Sequence, residues 1–436
     1  MQLFGTAGIR GITNRDITPE LGVLVGKAYG SIFRGNIAVA RDNRYGAEMI
    51  AHSVIAGLQA TGNTVYDLGI TPLPAFAKFV SEFMDGGIII TGSHTPPEIV
   101  GIVAVDSLGR DLYWDTSKEI EDRYQKRDFV LDEWKNVKDT KSEDAIEHYT
   151  RFIEKKAKNI EGFHVLMDMA NGTGAGIMNI ILENLGVKVD CINCNRSSIP
   201  NRPSEPRVNT VREMIKKSKN YDLGMAVDVD ADRVVFARGE FISEDVTGAI
   251  FATRFAKKMV TPINSSSLVN YISKEYGIEV FYCPIGPPEI AEAIIRTNAD
   301  FGYEETGKYV FPPDTLWGDS LLSTVTMLNI MNREGKSINE LASEFPKFYQ
   351  VKEKLKVHRE KKRAIVKKVM EYFESHFDNY DELVKIDGVK IVYEDAWLLI
   401  RASGTEDVIR IFSDAKSEKR AKELVKLGKE IVMKFM

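Results

Sequence analysis

A strand–loop–helix–glycine–strand unit occurs three times in the 436-residue sequence and constrains the fold more than any other feature. The first copy reads NIAVARDNRYGAEMIAHSVIAGLQATGNTVYDLG from Asn36. The second reads HVLMDMANGTGAGIMNIILENLGVKVDCIN from His164, and a looser third reads KMVTPINSSSLVNYISKEYGIEVFYC from Lys258. Each copy has the size of a βαβ unit with a glycine after its helix. Any α/β protein contains such units, but three copies in separate thirds favour three related domains over one large sheet.

The last part of the sequence has a different pattern. A basic segment, REKKRAIVKKVMEYFESHF, precedes strands around 389–392 and 397–400, a loop, a further strand and a helix from Glu418. We interpret the basic segment as a solvated helix face rather than a binding patch. The sequence therefore predicts four domains, at 1–149, 150–245, 246–348 and 349–436. The first three are α/β domains with a mixed sheet between helices, and the last is a smaller α+β domain.

Composition limits the partners and the compartment. The 58 Lys+Arg and 63 Asp+Glu residues give a net charge of −5, so no overall basic field favours nucleic acid. No apolar run approaches the roughly 20 residues of a membrane helix, and MQLFGTAGIRG lacks the pattern of a secretory signal. The three cysteines cannot form a disulfide framework, and we predict that Cys191 and Cys194 of the CINC motif are reduced. We expect a cytoplasmic protein without nucleic-acid or membrane partners.

The strongest local motif is AVDVDADRVVFA, at 226–237, in which Asp228, Asp230 and Asp232 follow a short apolar strand. A loop that curls can bring the three carboxylates together. Placing two of them about 4 Å apart without a counter-charge costs roughly 4 kcal/mol at an effective dielectric constant near 20. A divalent cation removes that conflict, and ligands that are all oxygen suit Mg²⁺. An EF-hand does not fit, and an exposed acidic turn is the alternative.

Three further loops have weaker signals. RASGTEDVIRIF, at 401–412, combines hydroxyls and backbone N–H groups with two flanking arginines, which suits a phosphate group. GYEETGKY, at 302–309, offers carboxylates, a hydroxyl and a lysine that could bind a polyol, although a surface loop is equally consistent. FGTAGIRG near the N-terminus and RDNR at 41–44 each place an arginine in a glycine-rich or strand-end loop.

A serine and a histidine stand together in GGIIITGSHTPPEI, at 86–99. The motif does not match the G-x-S-x-G of a serine hydrolase, and a histidine adjacent in sequence rarely reaches its neighbour's hydroxyl. Ser93 on a strand-end turn, stiffened by Pro96 and Pro97, could instead carry a phosphoryl group. A Mg²⁺ ion on the aspartate trio would neutralise that group.

Together and in this order, the motifs resemble those of the α-D-phosphohexomutase superfamily, which contains phosphoglucomutases, phosphomannomutases and phosphoglucosamine mutases. The family's T-A-S-H-N-P loop corresponds to TGSHTP, its D-G-D-x-D-R loop to DVDADR, and its G-E-x-S-G-H loop to YEETGK. The family's R-P/A-S-G-T-E-P-x-x-R loop corresponds to RASGTEDVIR. The match runs nearly end to end, and four ordered motifs are far more specific than one.

The resemblance implies four domains around a central cleft and an isomerase that moves a phosphoryl group within a sugar phosphate. It implies that phosphorylated Ser93 donates its phosphoryl group and recovers one from the other end of a bisphosphate intermediate. The implied residues are, for Mg²⁺, Ser93, Asp228, Asp230 and Asp232; for the sugar, Glu304 and Thr306; for the non-transferring phosphate, Arg401, Ser403, Gly404, Thr405 and Arg410; and, as family arginines near the site, Arg10 and Arg233.

The sequence departs from the family pattern beside the serine. Val100 and Val103 replace an asparagine and the lysine that usually serves as general acid or base. His94 and Lys308 are the two candidates for the proton transfer, because the pKa of a desolvated lysine beside carboxylates can be tuned. Gly92, Thr95 and Val229 replace the family's alanine, asparagine and loop glycine.

We therefore expect a Mg²⁺-dependent mutase that interconverts the 1- and 6-phosphates of a hexose or hexosamine, with a sugar bisphosphate as activator and a small phosphosugar as substrate. We expect a monomer or a homodimer. The departures leave a phosphopentomutase, or a catalytically weakened sugar-phosphate binder, as alternatives. A Mg²⁺-dependent phosphatase with Asp228 as nucleophile is a third alternative, but it leaves the third aspartate and the SGT loop unexplained.

Overall fold

A computed structural model of the chain describes residues 3–5, 8–376, 380–404 and 406–436. The chain divides into two compact units, and each is described by itself. Unit 1 comprises Met1–Thr247 and Thr306–Ala342, and unit 2 comprises Gly248–Glu305 and Ser343–Met436. Within the described ranges, no helix is long and apolar enough to cross a membrane.

The helices and strands follow in chain order. Up to residue 156 they are β1 (Ile9–Ile12), α1 (Pro19–Gly30), β2 (Asn36–Arg41), α2 (Ala47–Ala60), β3 (Thr64–Ile70), α3 (Leu73–Phe83), β4 (Gly86–Ile90), β5 (Ile99–Val105), α4 (Trp114–Lys126), a 3₁₀ turn (Trp134–Asn136), β6 (Lys141–Ser142) and α5 (Ala145–Lys156). Up to residue 255 they are β7 (His164–Asp168), α6 (Met178–Asn184), β8 (Lys188–Ile192), α7 (Arg212–Ser218), β9 (Leu223–Val227), β10 (Val234–Ala237), β11 (Phe241–Ile242) and α8 (Glu244–Phe255).

The remaining elements complete the chain. Up to residue 343 they are β12 (Lys258–Pro262), α9 (Leu268–Tyr276), β13 (Glu279–Cys283), α10 (Pro287–Thr297), β14 (Phe301–Glu304), β15 (Lys308–Val310), α11 (Ser320–Glu334) and α12 (Ile338–Ser343). Beyond it they are β16 (Tyr349–Lys356), α13 (Lys362–His376), β17 (Glu382–Val384), β18 (Val389–Tyr393), β19 (Ala396–Ala402), β20 (Val408–Ala415) and α14 (Glu418–Lys434).

The first sheet of unit 1 has the strand order β1-β5-β4-β2-β3-β6. Strands β4, β2 and β3 are parallel, and β5 is antiparallel to β4. Alternate residues of β4 pack into different cores: Ile88 and Ile90 into one cluster and Ile89 into another. A strand buried on both faces explains the continuous apolar run GGIII, because parallel strands with helices on both sides carry no polar face.

The second sheet of unit 1 repeats that plan. Its order is β11-β10-β9-β7-β8, with β7 parallel to β8 and β9, and β10 antiparallel to β9. In unit 2, β12 lies between the parallel strands β13 and β14. The order β4-β2-β3 of the first sheet therefore recurs as β9-β7-β8 and β14-β12-β13. The prediction of three related α/β domains is confirmed in fold, and the structure adds that they share a strand order.

The C-terminal sheet of unit 2 is antiparallel throughout, in the order β16-β20-β19-β18-β17. Helices α13 and α14 supply apolar residues such as Phe373 and Leu424 to the core that covers it. The predicted strands and final helix of this domain are confirmed. Most basic residues of the segment are exposed, as expected of a solvated helix face, but Lys362 is buried.

The strand plan gives three motif loops equivalent positions. In each repeat, the chain leaves the parallel strand next to the central one and turns into the following strand. That connection carries TGSHTPPE after β4, DVDADR after β9 and ETG after β14. The carboxyl ends of parallel strands are where α/β domains bind ligands. The three repeats therefore carry three different motifs in equivalent loops, after β4, β9 and β14.

The CINC motif follows β8. The structure joins Cys191 and Cys194 in a disulfide, with Cα atoms 6.0 Å apart, so the prediction of reduced thiols is wrong for this pair. Cys283 is a free, buried cysteine at the end of β13.

Asp319 is a fully buried carboxyl group at the N-cap of α11. Its Oδ1 atom accepts hydrogen bonds from the Tyr149 hydroxyl at 2.6 Å and from the Leu322 N–H at 2.9 Å. Burial raises the pKa of Asp319 to about 6, and the hydrogen bonds only partly oppose this effect. The folded protein therefore holds a proton on Asp319 at a pH where the unfolded chain has released it.

We predict that Asp319 lowers stability as the pH rises from about 4 to above 6. The unfolded carboxyl group ionises near 3.8 and the folded one near 6, so this contribution grows to about 3 kcal/mol above the folded pKa. In Asp319→Asn, whose amide oxygen can accept both hydrogen bonds, that pH-dependent loss should be absent. Urea unfolding at pH 4 and pH 7.5 measures it, with Asp144→Asn, at the exposed N-cap of α5, as control. Equal pH dependence in wild type and Asp319→Asn would contradict this prediction.

Candidate functional site: a buried carboxylate cluster beside Ser93

Three aspartates of the loop after β9 converge in unit 1. One carboxylate oxygen from each of Asp228, Asp230 and Asp232 lies within 4.8 Å of the others, and all three residues are buried. Burial, followed by the charge of its neighbouring aspartates, raises the pKa of Asp228. Burial and Asp232 likewise raise the pKa of Asp230. For Asp232, Lys308 and Arg233 outweigh the effect of burial and lower its pKa.

The loop curls at a different residue from the one the family pattern suggests. Val229, in place of the family glycine, does not have a positive φ; Ala231 does, at +61°. The Val229 carbonyl accepts hydrogen bonds from the N–H and hydroxyl of Thr173, at 2.8 and 3.0 Å. The Ala231 carbonyl accepts one from the Ser320 hydroxyl at 2.5 Å. The turn is therefore made without glycine, and contacts from neighbouring segments hold it.

Ser93 lies against this cluster. It is 3% exposed, and its Oγ donates to Asp228 Oδ2 at 3.0 Å. Its N–H donates to Thr91 Oγ1 at 2.9 Å, and the Thr91 hydroxyl donates to Asp230 Oδ2 at the same distance. Ser93 has a φ of +49°, a conformation that costs a non-glycine residue roughly 1–3 kcal/mol and persists only where its surroundings enforce it.

Arg44 enforces the conformation of the serine loop, a role that sequence reasoning missed. Its buried guanidinium donates to the carbonyls of Thr95, Pro96 and Ile99 at 2.9, 2.8 and 2.7 Å, and also to that of Ser93. Arg44 Nε lies 3.3 Å from a carboxylate oxygen of Asp42. The RDNR motif is visible in the sequence, but its role is not. The groups that Arg44 contacts are main-chain carbonyls, which leave no residue-type pattern.

Two departures from the family pattern follow from Arg44. A Cβ atom at Gly92 would fall on the Arg44 guanidinium and the Ile99 carbonyl, so alanine does not fit there in this arrangement. The Thr95 hydroxyl donates to the Gly92 carbonyl at 2.6 Å and accepts from Arg44 at 3.1 Å. Gly92 and Thr95 therefore lie in one loop, and both residues accommodate the Arg44 guanidinium.

A second missed contact comes from the PNRPSEPR segment. The Ser204 hydroxyl donates to the Ser93 carbonyl at 2.9 Å and accepts from the Val229 N–H at 3.1 Å. The next residue, Glu205, accepts from Arg233 at 2.8 Å. Ser204 is 4% exposed, so it links the serine loop to the aspartate loop away from water. No motif in the sequence singled out this segment.

Cations and one histidine surround the cluster. Lys308 Nζ lies 2.5 Å from Asp232 Oδ2, and Arg10 donates to the Gly92 carbonyl at 3.0 Å. His94 Nδ1 is 3.4 Å from Ser93 Oγ, closer than we expected for adjacent residues. Burial, then Arg233 and the other nearby cations, strongly lower the pKa of His94, so its ring is neutral.

Val103, where the family has lysine, belongs to the core. It is 4% exposed, lies opposite Ile89 in the β4–β5 pair, and joins an apolar cluster that includes Phe76 and Trp317. Its side chain therefore contributes packing and no proton chemistry.

In unit 2, the predicted phosphate loop joins β19 to β20. Arg401 and Arg410 lie directly opposite each other in this antiparallel pair. Arg401 is paired with Asp387 at 2.9 Å and Arg410 with Glu406 at 2.5 Å. Burial lowers the pKa of Arg401. These carboxylates offset the like charges at the two opposed positions, which would otherwise destabilise the sheet.

The remaining predicted residues lie near the motif loops. Ser403 is buried, and its Oγ accepts from the Glu406 N–H at 3.1 Å; Gly404 is exposed. Thr405 lies outside the described residues. Glu304 is buried at the end of β14 in unit 2, and Thr306 is half-buried in unit 1.

The aspartate cluster has the chemistry of a divalent-cation site. Its ligand atoms are all carboxylate oxygens, the set that Mg²⁺ prefers. Among the residues that the structure describes, Asp230 Oδ1 and Asp232 Oδ1 are buried without a hydrogen-bond donor. Buried carboxylate oxygens normally have a donor or a metal ion, so the residues present fit a cation.

Comparison with known families matches four models in chain order. They are described as phosphoglucomutase/phosphomannomutase, alpha/beta/alpha domain I (residues 1–131), domain II (144–240) and domain III (243–349), and as the C-terminal domain (350–427). Together these models account for most of the chain.

Individual relatives match over nearly their whole lengths. A phosphoglucomutase/phosphomannomutase of Thermococcus kodakarensis is 36% identical, over 98% of this chain and 97% of the relative. A phosphoglucosamine/phosphogalactosamine mutase of Sulfurisphaera tokodaii is 36% identical over 99% of each, and a phosphopentomutase of T. kodakarensis is 31% identical over 100% and 99%. The solved structure of a phosphoglucomutase/phosphomannomutase family protein from Burkholderia thailandensis shares the fold, with a TM-score of 0.89, 22% identity, and coverage of 99% and 97%.

We predict that Mg²⁺ raises the thermal unfolding midpoint and that this gain requires the aspartate cluster. At ten times its dissociation constant, a ligand that binds only the folded state stabilises it by about 1.4 kcal/mol. Asp230→Asn should lose the Mg²⁺-dependent gain, although relief of repulsion can stabilise the metal-free protein. Asp190→Asn, on the half-exposed side of β8, is the control. Full Mg²⁺ stabilisation of Asp230→Asn would rule out a cation at this cluster.

Proposed function

Because this chain belongs to the phosphoglucomutase/phosphomannomutase family, we propose that it interconverts the 1- and 6-phosphates of a hexose or hexosamine through phosphorylated Ser93. Members of this family are mutases, and this chain is an isomerase of that type. We further propose domains at 1–149, 150–245, 246–348 and 349–436. The observation that carries the mechanism is the 3.0 Å contact between Ser93 Oγ and the buried carboxylate cluster.

The surroundings of Ser93 support a phosphoryl carrier. A phosphoserine has a charge of about −1.5 to −2 at pH 7. Arg10, Arg233 and Lys308 supply positive charge around the serine and its carboxylate neighbours. Main-chain contacts from Arg44 and Ser204 hold the serine loop without occupying Ser93 Oγ. The loop can therefore stay in place while the group on its oxygen comes and goes.

The residues that would hold Mg²⁺ are Asp228, Asp230 and Asp232, together with an oxygen on phosphorylated Ser93. When bound, the ion supplies charge neutralisation and polarises the phosphoryl oxygen. The protein contributes a rigid, water-poor setting for that charge, because all three carboxylates are buried.

The reaction consists of two balanced transfers. In the first, a substrate hydroxyl oxygen bonds to phosphorus while the bond between phosphorus and Ser93 Oγ breaks; the hydroxyl loses a proton and Ser93 gains one. The sugar bisphosphate then reorients, and the second transfer returns its other phosphoryl group to Ser93. A bisphosphate in solution serves as activator because it can phosphorylate Ser93 in the same way.

Substrate contacts are assigned to the loops of the later domains. Glu304 and Thr306 would bind sugar hydroxyls. The non-transferring phosphate would lie at the β19–β20 loop. The proposed residues are Arg401, Ser403, Gly404, Thr405 and Arg410. Arg10 and Arg233 complete the contacts near Ser93.

Lys308 is the proposed proton carrier in place of the family lysine. Its ammonium lies 2.5 Å from Asp232, at the carboxylate cluster that Ser93 contacts. His94 is the second candidate, because its Nδ1 atom is 3.4 Å from Ser93 Oγ. Either side chain would supply the proton transfer that Val103 cannot.

We predict that Ser93→Ala lowers turnover by on the order of 10⁴-fold or more, because no other group can carry the phosphoryl. The assay uses glucose, mannose, glucosamine and ribose 1-phosphates with a trace of the matching bisphosphate, and identifies the 6- or 5-phosphate released. Ser107→Ala, in an exposed turn of the same domain, should match wild type. Undiminished turnover by Ser93→Ala would overturn the mechanism. A preference for ribose 1-phosphate would establish the pentose alternative, as in the similar phosphopentomutase.

Hydroxylamine separates the remaining alternatives. It cleaves the acyl phosphate expected of an Asp228 nucleophile but leaves phosphoserine intact. We expect label transferred from bisphosphate to survive this treatment and to be absent from Ser93→Ala. Binding of sugar phosphates without any turnover would instead favour a weakened, non-catalytic member of the family.

We predict that Lys308→Met lowers kcat by about 10²–10⁴-fold, the usual contribution of a general acid or base. Lys118→Met, on the exposed face of α4, removes the same charge far from this chemistry and should have no effect. His94→Asn tests the second candidate in the same assay. A raised KM with unchanged kcat in Lys308→Met would show that this lysine only binds substrate.

A further inference from the structure

Lys362 is an exception within the basic segment that begins α13. Its side chain is buried, at 6% exposure, whereas its neighbours Lys361 and Arg363 and the next lysines, Lys367 and Lys368, are exposed. A buried lysine requires partners, because an ammonium group loses its hydration there. This position therefore differs from the solvated face that the sequence suggested.

The partners of Lys362 are two main-chain carbonyls of the β19–β20 loop. Its Nζ donates to the Ser403 carbonyl at 2.6 Å and to the Glu406 carbonyl at 2.8 Å. These residues stand at the two ends of the turn, so one ammonium group closes the loop. The contacts lie within unit 2 and involve no side chain of the loop.

The geometry of the peptide bond gives these contacts a consequence. In a planar trans peptide, the C=O and the N–H point in opposite directions. Turning the Ser403 and Glu406 carbonyls toward Lys362 therefore directs the N–H groups of Gly404 and Asp407 away from it. Main-chain N–H groups directed outward from a tight loop are what binds an anion.

Two other features of the loop agree with this orientation. The Glu406 N–H donates to Ser403 Oγ at 3.1 Å, which tightens the same turn. Arg401 and Arg410 flank it at opposed positions of β19 and β20. Two guanidinium groups, each paired with a carboxylate, thus flank the loop, and the Lys362 ammonium contacts its main-chain side.

We infer that Lys362 is a positioning residue for the phosphate loop: it holds the Ser403 and Glu406 carbonyls so that the N–H groups of Gly404 and Asp407 face the phosphate of the substrate. This inference rests on the proposed function, because it takes the β19–β20 loop as the site of the non-transferring phosphate. Lys362 acts through the loop backbone and also adds a positive charge behind it.

The test measures phosphate affinity and turnover separately in the full chain. Inorganic phosphate is used as a competitive inhibitor, and KM and kcat are measured with the best sugar 1-phosphate. We expect Lys362→Met to raise both the inhibition constant of phosphate and KM about tenfold, with kcat reduced less than threefold. Lys361→Met removes one charge from the exposed neighbour and should leave all three values unchanged.

A second variant separates hydrogen bonding from charge and serves if Lys362→Met does not fold. Lys362→Gln keeps two N–H donors for the two carbonyls but has no charge. We expect it to raise the inhibition constant about threefold. An unchanged inhibition constant in a folded Lys362→Met or Lys362→Gln protein, even with a lower thermal midpoint, would reduce Lys362 to a purely structural role and overturn the inference.

The arginines distinguish failure of the inference from failure of the proposed function. Arg401→Met and Arg410→Met should each raise the inhibition constant of phosphate. If neither does, the phosphate does not bind at this loop and the proposed placement fails. If both do while Lys362→Met matches Lys361→Met, the placement stands and only the role of Lys362 is overturned.

Discussion

Mutual repulsion among three buried carboxylates is the constraint on which the structure around Ser93 depends. Asp228, Asp230 and Asp232 hold oxygen atoms within 4.8 Å of one another, at a cost of several kcal/mol if nothing offsets it. Arg10, Arg233 and Lys308 balance the three formal charges. Under the proposed function, a phosphoseryl dianion and a divalent cation also sum to nearly zero, so both can join the cluster without changing its net charge.

Under the proposed function, the second requirement is a serine that keeps its place while the group on its oxygen changes. Ser93 has an unfavourable backbone conformation, and the contacts that enforce it come from Arg44 and Ser204. Both act on carbonyl oxygens, so neither competes with chemistry at Ser93 Oγ. Lys362 contacts the carbonyls of the β19–β20 loop in the same manner. The protein thus repeatedly uses buried cationic or hydroxyl donors to shape a loop from its main-chain side.

Sequence patterns predicted the fold well, because strand and helix periodicity reports which faces are buried. Continuous stretches of sequence identify the three repeats, the aspartate loop and the arginine-flanked loop. Arg44, Ser204 and Lys362 were not visible as functional residues, because their partners are carbonyls 41 to 111 residues away along the chain. Any residue can supply a carbonyl, so such contacts leave no signature in residue type. The turn at Ala231, in place of a glycine at 229, was missed for a related reason: neighbouring segments stabilise a conformation that local propensity disfavours.

The packing of Val103 has a consequence for where a proton carrier can lie. The side chain lies in an apolar cluster with Phe76 and Trp317, and its Cα and a methyl carbon each lie 3.1 Å from the point where a Cβ on Gly8 would stand. A lysine at this position would bury its ammonium group among these apolar side chains. Lysine there would therefore require further substitutions around it. Under the proposed function, proton transfer falls to the residues that surround Ser93.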